Sequence, residues 1–523
     1  MRKTLWILSL LSTTVAACGA GVPSMTPLPT ARPTALPAIL SGPDTPGVYR
    51  PSACPFALPD GLVEGVDVEC GYLPVYEDRQ EGEPVIGRTI RLAVAVFHPP
   101  GGETQSDPVI YLSGGPGASI LKLIRYQYEI LSEPVFATGR TLILFDQRGI
   151  GLSQPALSCQ EFSELHQEML DREMGGQAVT EEQAVALALD SLRSCRDRLA
   201  QIADLSAYNS ASSAADVHDL CQALGYESVN LWGGSYGTRL ALEVMRRYPE
   251  ALRSVVLDAV YPPDVDLYRS APDNYHRSLT KLFESCASNA VCADEYPDLE
   301  KVLFDTVDRL NEEPVDREIN NDFTGESLEV RVNGDVLLTL VFQMLYDSKL
   351  RYFIPRIIYE VSQGDFDYVD SVYSSMTTMA SISSRGMMFS VQCHEELSFS
   401  SQAAFEVELD QYPELAGMYE NSILGGLAYR ACEIWSVGQS DPSANQPVES
   451  DVPVLILSGE FDPITPPEWG FHAAESLENA FPFEFPGIGH GASVADPCPK
   501  GMMIHFLDDP YQAPDSSCIA EMH

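Results

Sequence analysis

Lysine is nearly missing from this chain. Only six of the 523 residues are lysine, and 32 basic residues stand against 75 acidic ones, a formal net charge of −43. So acidic a surface repels nucleic acid and anionic membranes over most of its area, which excludes a protein that binds either through a basic face. Most of the basic residues are arginine. The acidity fits a saline habitat, where salt screens self-repulsion, and equally an ordinary acidic exported protein. Long hydrophobic runs are missing too, since the apolar stretch from Thr4 to Leu11 is too short to span a bilayer. There is no tight Cys-x-x-Cys pair, and the histidines do not cluster with the cysteines, so metal ligation is disfavoured and no cofactor motif stands out. No internal repeat is evident. What is present is a chain 45% hydrophobic and 20% charged, enough to bury a sizeable core.

The first 17 residues read as a signal peptide, with Arg2 and Lys3 ahead of the apolar stretch. It ends in Val15-Ala16-Ala17-Cys18, which resembles a bacterial lipoprotein processing site. Cleavage before Cys18 would leave that cysteine to carry a lipid anchor, so the expectation is an exported, membrane-anchored protein facing the periplasm or the cell exterior. Small residues and prolines from 18 to 50 predict an extended tether. The later cysteines suggest local disulfides in sequence order: Cys54 with Cys70, Cys159 with Cys195, Cys286 with Cys292, Cys393 with Cys432, and Cys498 with Cys518. Cys221 is left over, expected as a buried free thiol.

From residue 51 the hydrophobic pattern alternates between strand and helix. Cys70–Val75 and Thr89–Val96 predict a hairpin. Short apolar runs at 108–112, 141–145, 228–232, 255–260, 452–457 and 481–485 suit buried central strands, with helical stretches at 181–202, 212–224 and 238–248. Strand, turn and helix in repetition mean an α/β fold: a mostly parallel sheet with helices on both faces. The rhythm breaks near Pro262 and resumes near residue 448. The expected organisation is a core in two parts, 51–262 and 448–523, around an inserted, mainly helical cap at 263–447.

Several residues stand where chemistry needs them. Ser235 sits in Gly233-Gly234-Ser235-Tyr236-Gly237, between a predicted strand and a predicted helix. That context lifts a serine hydroxyl out of a sharp turn and leaves the Tyr236 amide beside a bound carbonyl. A serine hydroxyl also needs a base, and the base needs an orienting acid. His490 in Gly-Ile-Gly-His-Gly, after the last strand, is the candidate base. Asp462, after the strand at 452–457, is the candidate acid, with Glu460 as a rival two residues away. Gly114 and Gly115 follow another strand and let backbone approach a substrate, so one of their amides would complete an oxyanion hole with Tyr236. The order serine, aspartate, histidine is that of an α/β-hydrolase.

The segments Leu112-Ser113-Gly114-Gly115-Pro116-Gly117, Asp146-Gln147-Arg148-Gly149-Ile150-Gly151 and Gly233-Gly234-Ser235-Tyr236-Gly237 resemble the α/β-hydrolase peptidases that include the proline iminopeptidases and the secreted tripeptidyl aminopeptidases. The stretches Leu457–Pro466 and Val391–Glu395 resemble the secreted tripeptidyl branch. The resemblance spans about residues 50 to 520 and implies a helical cap and acyl transfer through a serine. It implies Ser235, Asp462 and His490 as the triad, and Gly114 with Tyr236 as oxyanion donors. One departure is visible: Ser113 stands where the family's loop usually opens with histidine, which weakens a strictly proline-specific reading. The implied activity is a serine aminopeptidase that releases one to three residues from peptides with free N-termini. A carboxylate would then hold the substrate ammonium, with Glu395 and Glu396 as candidates. Arg148 is expected to brace the oxyanion loop. The competing readings are a small-substrate esterase of the same fold and a surface binding protein without catalysis. Epoxide hydrolases are disfavoured because they use aspartate where Ser235 stands.

Overall fold

The computed structural model describes residues 44–80, 83–84, 87–162, 164–165, 180–320, 327–372 and 383–522. The expected signal peptide, Cys18 and most of the tether therefore lie outside the described residues. Strands β1 (Arg50–Pro51), β2 (Val68–Tyr76), β3 (Arg79–Gln80), β4 (Glu83–Pro84), β5 (Thr89–Phe97), β6 (Val109–Leu112), β7 (Leu142–Asp146), β8 (Val229–Gly234) and β9 (Leu252–Asp258) come first. A hairpin, β10 (Val315–Asn320) and β11 (Ser327–Val332), follows, and then β12 (Val454–Gly459) and β13 (Ala480–Phe485).

Nine of these strands form one sheet in the order β1-β2-β5-β7-β6-β8-β9-β12-β13. From β7 to β13 every neighbouring pair is parallel, while β1, β2 and β5 pair antiparallel at one edge. The fold class expected from the alternating pattern is thus the one observed. The inner strands are mostly apolar because both sheet faces are covered, and β6, β7 and β12 are buried at every position. Two apolar cores lie on the two faces, one against the helices Ser210–Leu224 and Tyr236–Arg247, the other against Ile120–Ala137 and Pro497–Asp508.

Between β9 and β12 the chain leaves the sheet. It forms helices that include Leu267–Ser288, Leu299–Glu312, Gly334–Tyr346, Ile354–Ser362, Arg385–Glu395 and Gly426–Trp435. The hairpin β10–β11 also lies here, where the sequence shows few strand signals, because its exposed positions are charged while Ile319, Val330 and Val332 turn inward. The insert has two cores. One includes Phe461 and Ile464 of the loop after β12, and Trp469 of the helix Pro467–Ala474. The other packs Met387, Phe389 and Trp435 on Leu192 and Leu199 of the helix Glu181–Leu199.

All five local disulfides form in the expected pairing, and Cys221 is a buried free thiol. Among the described residues no helix is long and apolar enough to cross a membrane.

Candidate active site

The strand β8 runs directly into Ser235, which takes φ 55° and ψ −126°, and the helix Tyr236–Arg247 starts at the next residue. A positive φ is costly for serine and persists only where the surroundings over-determine it. Here they do. A Cβ on Gly237 would lie 1.9 Å from the Leu112 carbonyl oxygen, and one on Gly233 would lie 2.5 Å from the Gly237 carbonyl oxygen. Only glycine fits at either position. The Ser235 amide donates to the Asp258 carbonyl at 2.9 Å, and the Thr238 hydroxyl donates to the Ser235 carbonyl at 2.6 Å. The Tyr236 amide, in the first turn of its helix, has no acceptor within that helix.

Gly114 sits against this elbow, and a Cβ there would come within 2.9 Å of the Ser235 Cβ and the Gly234 carbonyl oxygen. Gly115, at φ 118°, bends the chain onward. Of the two candidate amides, that of Gly114 therefore belongs to the residue pressed against Ser235. The loop is held from below: Gln147 donates to the Ser113 carbonyl at 2.9 Å, and Asp146 accepts from the Ser119 hydroxyl at 2.7 Å. Arg148 does not reach that loop. Its guanidinium is wholly buried and bidentate on Asp216, with further bonds to the carbonyls of Glu77 and Ala207. It ties the helix Ser210–Leu224 to the end of β2, which corrects the expected brace.

Asp462 and His490 meet. The carboxylate accepts the His490 Nδ1 at 2.7 Å through Oδ2, which also accepts the Thr465 hydroxyl at 2.6 Å. Oδ1 accepts the amides of Ile464 and Thr465, both at 2.9 Å. Burial pushes the pKa of this carboxyl up, but His490 and the hydrogen bonds outweigh it and hold the pKa below its ordinary value. The other imidazole nitrogen, Nε2, is buried without a hydrogen-bond partner. Ser235 and His490 are both almost closed from solvent, 6% and 3% exposed. Glu460, the rival acid, spends its carboxylate on the Gly487 amide at 3.0 Å, so it shapes the histidine loop and does not orient the ring.

Asp258 carries no motif and stands in the sequence as one polar position within the apolar run 255–260. Its buried carboxylate accepts the Ala492 amide at 2.7 Å and the Ser493 amide at 2.9 Å, as well as the Ser493 hydroxyl. Its carbonyl takes the Ser235 amide. One residue thus joins the serine turn to the histidine loop. The signal available was its place: a carboxylate at the end of a strand neighbouring that of the serine.

Glu395 and Glu396 are not open carboxylates, which corrects the expected ammonium clamp. Both are buried, at 3% and 4% exposure, and Arg239 of the serine's own helix lies between them. Glu395 also accepts the Ser210 amide at 2.5 Å, and the Ser210 hydroxyl meets that of Tyr236 at 2.7 Å. The cluster cross-links the insert to the helix behind Ser235. Burial pushes the Glu396 carboxyl up to about 7, against the pull of Arg239. Because that value lies above the ordinary 4.5, the group's contribution to stability is whole below that pH and is lost as pH rises through about 7. Glu396→Gln is expected to remove a stability loss on the order of 2 kcal/mol between pH 5 and 8. A plot of Tm against pH as steep in the variant as in the parent would show that Glu396 does not titrate there.

A mostly parallel sheet, an elbow serine at the end of a central strand, and an aspartate–histidine pair on the loops after β12 and β13 define an α/β-hydrolase fold. The comparisons agree. The family model for the alpha/beta hydrolase fold matches residues 107–293, and that for TAP-like proteins matches residues 422–518. A protein named as a hydrolase, YuaR of Escherichia coli K12, is 25% identical over 478 residues, 86% of this chain and 87% of that one. The serine protease Hip1 of Mycobacterium tuberculosis is 23% identical, covering 80% of this chain and 81% of its own. The tripeptidyl aminopeptidase of Streptomyces coelicolor is 28% identical over 204 residues, 38% of this chain and 36% of that protein. The chain therefore has the α/β-hydrolase fold, is similar to the TAP-like proteins over residues 422–518, and is a hydrolase.

Proposed function

We propose that this hydrolase is an exported serine aminopeptidase, releasing one to three residues from peptides with free N-termini. Ser235 attacks the scissile carbonyl while Nε2 of His490 takes its proton. Asp462 holds Nδ1 and balances the imidazolium that forms. The amides of Tyr236 and Gly114 receive the oxyanion. His490 then returns the proton to the leaving amine, and water, deprotonated by the same nitrogen, releases the acyl group. The observation that carries this reading is the Asp462–His490 bond of 2.7 Å, with a buried, unpartnered Nε2 on a loop tied through Asp258 to the Ser235 turn. Peptide substrates are favoured by the names of the relatives, two of which are peptidases. Export and a lipid on Cys18 are supported by the order of charges, apolar residues and small residues ahead of that cysteine, and by five disulfides.

The test is a set of peptide amides offered with a free amino terminus and again acetylated. The free set is expected to turn over roughly 10- to 100-fold faster, the worth of a contact to a charged group. Equal rates would remove the exopeptidase claim, and turnover confined to short acyl esters would replace it with an esterase.

A further inference from the structure

Arg351 lies in the insert, in the short turn Arg351–Phe353 beyond the helix Gly334–Tyr346, and is 6% exposed. A buried guanidinium is expensive unless its flat face and its donors are both used. Its centre lies 4.3 Å from the Phe461 ring and 4.2 Å from the Tyr352 ring. Its Nε donates to the Gly487 carbonyl at 3.1 Å. Phe461 immediately precedes Asp462, and Gly487 stands three residues before His490. One side chain of the insert therefore touches the acid loop and the base loop together.

Its neighbours hold the same loops at other points. The Tyr346 carbonyl accepts the His490 amide at 2.9 Å, and the Tyr346 ring stacks on the imidazole with centroids 4.1 Å apart. The Ser348 hydroxyl accepts the Gly489 amide at 3.0 Å. On the far side, Arg277 and Ser278 of the helix Leu267–Ser288 each donate to the Asp462 carbonyl at 2.9 Å. Apart from Asp258, the two loops bearing the candidate acid and base are fastened to the insert as much as to the sheet.

The chemistry sets a narrow tolerance for such loops. Nδ1 must keep its bond to Asp462 while Nε2 faces the serine, and a slip of about 1 Å can cost on the order of 100-fold in rate. We propose that Arg351 is a positioning residue, clamping the Asp462 and His490 loops to each other and to the insert so that the base is aligned only while the insert is seated. This rests on the reading of Ser235, Asp462 and His490 as the triad.

The test compares Arg351→Ala and Arg351→Lys with Arg356→Ala, which removes an exposed arginine paired with Glu360 on the adjoining helix. kcat and KM on an unblocked peptide amide are read beside the far-downfield proton resonance of the Asp462–His490 bond. Arg351→Ala is expected to lower kcat about 100-fold with KM within about 3-fold, and to broaden or erase the resonance. Arg351→Lys keeps the charge without the flat face and recovers part of the rate. Arg356→Ala leaves both readouts unchanged. Parental kcat in Arg351→Ala, or a lowered kcat with an intact resonance, overturns the proposal. Should Arg351→Ala fail to fold, Arg351→Lys and Ser348→Ala decide it, and unchanged kcat and resonance in both overturn it. Failure of the triad reading is separate, since Ser235→Ala would then retain activity.

Discussion

Ser235→Ala is expected to lower kcat by about 10⁴-fold or more while leaving the fold intact. The oxyanion donors are backbone amides of Gly114 and Tyr236 and survive the change, so a small residue of catalysis over water should remain. The elbow survives as well, because it is fixed by Gly233 and Gly237 against neighbouring carbonyls and by the Ser235 amide on Asp258, none of which uses the hydroxyl. The variant should match the parent in Tm and circular dichroism and lose labelling by a fluorophosphonate probe. Activity within 10-fold of the parent would mean that another nucleophile operates.

Asp462→Asn is expected to cost about as much, near 10⁴-fold in kcat, for a reason the hydrogen bonds spell out. Oδ1 accepts two backbone amides, those of Ile464 and Thr465. An asparagine must place its carbonyl oxygen there, and its amide nitrogen then falls where Oδ2 now meets Nδ1 of His490. An N–H facing Nδ1 makes that nitrogen an acceptor and moves the ring proton to Nε2. Nε2 can then no longer take a proton from Ser235. KM should change little, because Asp462 is fully buried and does not line a binding surface. A loss under 10-fold would remove Asp462 as the orienting acid.

The parts of this molecule that were legible in the sequence share one property: each is written in a contiguous segment. The inner strands announce themselves as short apolar runs because both faces of the sheet are covered. The serine turn is legible because its geometry forbids a side chain at two fixed positions. The five disulfides are local in sequence, so order alone suggested their partners. What was not legible depends on distant segments meeting. Asp258 reads as the polar end of a strand until the loop with Ala492 and Ser493 is folded onto it. Glu395 and Glu396 read as candidates to hold a substrate ammonium until Arg239, more than 150 positions earlier, is seen between them. Arg148, in the turn after β7, is illegible for the same reason, its partner Asp216 lying in the helix Ser210–Leu224.

The disulfides carry one more consequence, for the order in which the chain can mature. Each bridge joins a cysteine to the next one along, from Cys54–Cys70 to Cys498–Cys518, with Cys221 alone between two finished pairs. A chain emerging amino terminus first into an oxidising space can close every bridge before the following cysteine arrives. An oxidant that joins thiols as they appear would close the first two bridges directly, but Cys221 must be buried before Cys286 emerges, or those two would join and the third bridge would need reshuffling.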